Sequence, residues 1–81
     1  MVALAYMTKT AKTTQQDYEL GRRIQKVRKQ KGLTQEQLAE KIRVSTTFIG
    51  YVETGYRVPN LKMIYKIARA LGVKVKDIFP F

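Results

Sequence analysis

The chain of 81 residues contains no cysteine and no histidine. Without cysteine there is no disulfide and no thiolate metal site. Without histidine a metal would have to be held by carboxylates, and only six Asp and Glu are present, scattered along the sequence. The same absences remove the commonest nucleophile–base pairs, and neither paired acids nor a glycine-rich phosphate loop replaces them. An enzyme is therefore not expected. No apolar run approaches the ~20 residues that span a bilayer. The opening MVALAYM is short and lacks a basic leading stretch, which makes it a poor signal peptide. Together these absences lead us to expect a cytoplasmic chain with no metal, no cofactor and no membrane association.

What the chain has in excess is positive charge. Sixteen Lys and Arg against six acids give a net charge of +10 and a pI near 10.2. Such a balance favours a polyanionic partner, nucleic acid ahead of an anionic membrane surface. Apolar residues make up 44 % of the sequence, enough for one small core if they cluster.

Composition changes near Asp17. Residues 8–16, TKTAKTTQQ, are polar, Thr-rich and basic, with no apolar period. Residues 1–16 are read as a flexible basic arm and residues 17–81 as one domain. From there on the pattern is helical. A first helix starts at about residue 14 or 17 and runs to 31, with Leu20, Ile24 and Val27 at helical spacing and Gly32 as its stop. Thr34, followed three residues later by Gln37, has the spacing of a capping box and opens a second helix. Ser45 is the N-cap of a third, over residues 45–54, with Phe48, Ile49 and Val52 inward and Gly55 at its end. A fourth spans residues 61–71, with Leu61, Ile64, Ile67, Ala68 and Leu71 as its buried stripe. A short fifth lies near residues 76–79.

Only about three residues, 42–44, connect the second and third helices, and a turn so short forces a steep crossing. Where two backbones come close, one helix must carry a small side chain flanked by bulky apolar ones. Ala39 is the small residue, and Leu38, Ile42, Val44, Ile49 and Val52 surround it. In a strongly basic chain, a helix pair of this kind is suited to placing its second helix in the major groove of DNA.

Three stretches, RRIQKVRKQKGLTQEQLAEK, FIGYVETGYRVPNL and KIARALGV, occur in an order and spacing that resemble the helix-turn-helix domain of the phage repressor and Cro family, also called the XRE family. The resemblance covers residues 20–79. It implies an all-α fold, a five-helix lambda-repressor-like DNA-binding domain with its third helix in the major groove. It further implies that Thr46, Thr47 and Tyr51 read bases. Small polar residues on a helix face are also what simple solvation produces. None of the three is Arg, Asn or Gln, so bidentate reading of G or A is not expected, and methyl contacts and DNA shape would carry more of the specificity. Phosphate contacts are expected from helix N-termini and the donors near them: Gln35, Ser45, Tyr56, Arg57, Asn60 and Lys62. Arg28 and Glu53 would form a partly buried ion pair between the first and third helices.

One position departs from the family pattern. Arg43 stands in the turn where the family usually has Gly, because the backbone there tends to be left-handed. Either the turn differs, or a cost of roughly 1 kcal/mol is tolerated for a phosphate contact. Phe79 and Phe81 are the candidates for a dimer contact, with packing into the core as the competing role of Phe79.

Two functions fit. One is a repressor-like, sequence-specific regulator that binds double-stranded DNA as a homodimer on two half-sites. The other is an antitoxin that binds a toxin protein and regulates its own operon.

Overall fold

The computed structural model of the chain describes residues 14–79. Five helices follow one another: α1 (Gln15–Gln30), α2 (Gln35–Ile42), α3 (Thr46–Thr54), α4 (Leu61–Leu71) and α5 (Val75–Ile78). No strand occurs among the described residues.

Each helix begins where a side chain takes up orphan backbone groups. The Thr14 hydroxyl accepts from the Asp17 N–H at 3.0 Å. At α2 the cap is reciprocal: the Thr34 hydroxyl accepts from the Gln37 N–H at 3.0 Å, and the Gln37 side-chain oxygen accepts from the Thr34 N–H at 2.9 Å. Ser45 and Asn60 cap α3 and α4 through the N–H groups of Phe48 and Met63. The Asp77 carboxylate accepts from the Lys74 N–H ahead of α5. Such caps are worth about 1 kcal/mol each, which matters for helices too short to hold themselves.

Packing follows the apolar stripes. α3 lies on α1 and α2, α4 on α2, and α5 closes against α4 and α1. Ile24, Leu38, Ile49, Val52, Ile67 and Ile78 are the largest fully buried side chains, each contributing roughly 1.5–3 kcal/mol of apolar burial. Among the crossing residues, Leu38, Ala39, Ile42, Ile49 and Val52 are buried and Val44 packs partly against them. A second close approach lies between α1 and α3 at Gly21. A Cβ on Gly21 would stand 2.7 Å from the Glu53 carbonyl oxygen and closer still to that of Val52.

Several expectations need correction. Leu61 is not part of the buried stripe: it is 61 % exposed, while Pro59, two residues earlier, is buried. Leu61 is the first residue of α4, where the helix projects past the core that its later turns cover. α1 takes in Gln15 and Gln16, so the helical domain starts before residue 17, and the rest of the expected arm, residues 1–13, lies outside the described residues. The last helix begins at Val75. Phe79 is half-buried and packs against the core, which is the competing role named for it. Phe81 lies outside the described residues.

Candidate nucleic-acid interface

The N-terminal turn of α3 stands clear of the core. Thr46 and Thr47 are exposed, and Tyr51, one turn further on, is 40 % exposed. Ile49 and Val52 on the opposite side of the same helix are buried, so the helix divides into a face fixed by packing and a face left open. The Ser45 hydroxyl accepts the Phe48 N–H at 3.0 Å, and its own proton remains available to an outside acceptor.

The loop after α3 folds back beside that open face. The Arg57 N–H donates to the Tyr51 carbonyl at 3.1 Å. The Tyr51 and Tyr56 rings lie 4.8 Å apart at 58°, a tilted aromatic contact that holds the loop against α3. Arg57, Asn60 and Lys62 are exposed. Asn60 caps α4 through its oxygen at 2.8 Å, so its amide N–H groups point elsewhere. The structure therefore brings Thr46, Thr47, Tyr51, Tyr56 and Arg57 into one region around α3 and its following loop.

At the turn, Arg43 has φ 61 and ψ 49, a left-handed conformation, and is the only non-glycine residue with positive φ among those described. Of the two readings of this position, the one in which the turn geometry differs is removed. The guanidinium is exposed, and the backbone N–H of Val44 closes the turn onto the Ala39 carbonyl at 3.0 Å.

Beneath the open face lies a charged network. Arg28 and Glu53 are both buried, at 6 % and 2 % exposure. The Arg28 Nε donates to Glu53 Oε2 at 2.5 Å and its Nη2 to Oε1 at 3.1 Å. Arg28 Nη1 donates to the Leu33 carbonyl at 2.7 Å. Two further donors converge on Glu53 Oε1: Gln25 Nε2 at 3.2 Å and Gln35 Nε2 at 2.9 Å. One carboxylate thus joins α1, the start of α2 and the end of α3. Among the described residues no buried side-chain polar atom is left without a partner, which is the condition for burying such a pair at all.

Gln35 also has a partner within the fold. One N–H of its side-chain amide is given to Glu53, which leaves the second amide N–H and the backbone N–H at the α2 N-terminus as donors. Gln25 and Gly21 went unnoticed in the sequence. For Gly21 a signal existed: a glycine inside a helix is about 1 kcal/mol unfavourable and calls for a reason. Gln25 offered none, since a Gln on a polar helix face looks solvated.

The electrostatics are one-sided. Between Lys41 and Asp77 the only acid is Glu53, and it is buried and neutralised by Arg28. The outer surface contributed by this stretch has no exposed carboxylate, and Arg43, Arg57 and Lys62 give it a positive potential suited to phosphate. No group of three or more acids that could hold a metal occurs among the described residues. No helix among them is long and apolar enough to cross a membrane.

Comparison with known proteins agrees with this geometry. A family profile described as Helix-turn-helix matches residues 24–78. The chain is 41 % identical over 59 residues to an uncharacterized HTH-type transcriptional regulator of Archaeoglobus fulgidus, covering 73 % of this chain and 84 % of that protein. It is 42 % identical over 64 residues to multiprotein-bridging factor 1 of Debaryomyces hansenii, covering 79 % of this chain but only 43 % of the longer factor. Among solved structures, the restriction-modification controller protein C.AhdI from Aeromonas hydrophila superposes with a TM-score of 0.74 at 35 % identity, over 76 % of this chain and 94 % of that one. The clp gene regulator ClgR from C. glutamicum gives a TM-score of 0.79 at 29 % identity, over 85 % and 88 %.

Proposed function

The chain belongs to the helix-turn-helix family, and we propose that it regulates transcription by binding double-stranded DNA with α3 in the major groove. The observation that carries this reading is the division of α3: a buried face locked to α1 and α2, and an exposed N-terminal turn on a surface without a free carboxylate. Its similarity to proteins named as transcriptional regulators supports the same conclusion.

Thr46, Thr47 and Tyr51 read bases. Threonine methyls meet thymine methyls, hydroxyls donate or accept, and Tyr51 reaches a base or a sugar-phosphate edge. Phosphates are held by Gln35 at the α2 N-terminus, by the Ser45 hydroxyl, and by Arg43, Tyr56, Arg57, Asn60 and Lys62. Glu53 touches no DNA. It fixes the angle between α2 and α3 so that these groups present themselves together. The protein acts as a homodimer on two half-sites about one helical turn apart.

The deciding experiment selects bound duplexes from a random pool at two salt concentrations. A recovered motif that persists at the higher salt is expected. A steep loss of binding with no enriched motif would show a non-specific binder instead. An antitoxin role predicts in addition a tight protein partner encoded beside this gene, and co-expression with that neighbour tests it.

A further inference from the structure

The DNA-binding reading uses Lys62 at the start of α4 and leaves the rest of the outer side of that helix without a role. There a groove of about 690 Å³ runs between α4 and the segment leading into α5. Its floor is apolar: Tyr65, Ala68, Val73 and Val75. Tyr65 is 59 % exposed, and Leu61, one turn upstream on the same side of α4, is 61 % exposed. Two large apolar side chains held i, i+4 on a helix and left to water are a larger liability than scattered single ones. The edges of the groove are cationic through Lys66, Arg69 and Lys74, and Lys62, assigned above to phosphate, stands at its end. None of these four has a carboxylate partner, since Arg28–Glu53 is the one ion pair among the described residues. Asp77, the nearest acid in sequence, is engaged on the Lys74 backbone N–H.

From this combination we infer that the α4–α5 groove is a docking surface for an acidic amphipathic helix of a partner protein. The charge pattern selects among occupants. A DNA backbone would meet the cations but has nothing to cover Tyr65, Leu61 and Val73. A second copy applied by a two-fold axis would lay this patch, with Lys66, Arg69 and Lys74, against the same cationic patch of a chain of net charge +10, and like charges so placed repel. A helix with apolar residues at i, i+3, i+4 and i+7 fills the floor, and its flanking Glu and Asp meet the edges. A DNA-bound regulator would in this way recruit or receive a partner on a face other than α3.

The test is a binding titration with the full chain. The probe is a synthetic helical peptide of about four turns, rich in Glu and Asp with leucines on one face. The control is a scrambled peptide of the same composition with the leucines spread around the helix. The ordered peptide is expected to bind at least about tenfold more tightly than the scrambled one. Tyr65→Ala and Lys66→Glu should each weaken it by about tenfold, with thermal melts unchanged because both positions are exposed. An excess of a short DNA duplex should not displace it. Failure of the peptide to bind, equal binding of the two peptides, or indifference to both substitutions overturns the inference. Displacement by duplex assigns the groove to nucleic acid, and loss of a dimer in Tyr65→Ala without peptide assigns it to a second copy. Either result also overturns it. None of these outcomes bears on the selection experiment with DNA, so the two readings fail separately.

Discussion

Arg43 occupies a backbone state that glycine enters freely and arginine enters at roughly 1 kcal/mol. Nothing in the fold of the turn requires its side chain, which is exposed. Arg43→Gly is therefore expected to raise the melting temperature by several degrees while weakening DNA binding and lowering the salt slope by about one. Unchanged affinity would remove the phosphate role. Gly21 presents the converse case. Alanine there would gain about 1 kcal/mol of helix propensity but would drive its methyl into the carbonyl oxygens of Val52 and Glu53. Backbone atoms cannot rotate aside, so the overpacking cost should reach the upper part of its range of about 1–3 kcal/mol. A lowered thermal midpoint is expected for Gly21→Ala, and a raised one would show that α1 and α3 are less tightly apposed. At Glu53, alanine leaves the Arg28 guanidinium buried without its partner, a loss of about 3–5 kcal/mol. Urea denaturation of Glu53→Ala should show that loss, and an unaltered midpoint would refute the role of the pair.

At the scale of the element, α3 is legible in the sequence almost to the residue, because Ser45 and Gly55 mark its ends and Ile49 and Val52 its buried side. The same holds for α2, where Thr34 and Gln37 announce the cap that forms. Periodicity was less informative at the start of α4. It shows which residues share a face but not where the core stops, so that Leu61 shares the stripe of Ile64 although only the later turns are covered. Hydrogen-bond partners across elements left no local trace either. Gln35 and Gln25 meet Glu53 only because three helices converge, and a linear reading cannot see convergence. What α3 offers to DNA is short on hydrogen-bond forks and comparatively rich in methyl groups, through Thr46 and Thr47. Replacing thymine by uracil across a selected site is accordingly expected to weaken binding severalfold without altering the salt slope. No change would shift the specificity from methyl contacts to DNA shape.

For the whole molecule, the three cations proposed as phosphate ligands, Arg43, Arg57 and Lys62, would give a dimer a slope of log K against log salt of about −5. A value near half of that, measured by titration at several salt concentrations, would mean that a single copy binds. The distribution of acids has a kinetic consequence as well. Asp17, Glu19, Glu36 and Glu40 all precede Arg43, and from there to Lys76 every exposed charge is positive. The molecule approaching a duplex is thus a charged body with an uneven field, and the torque on it acts before any atom touches. Encounters should be turned toward productive orientations in flight, so that added salt slows association more than it hastens release.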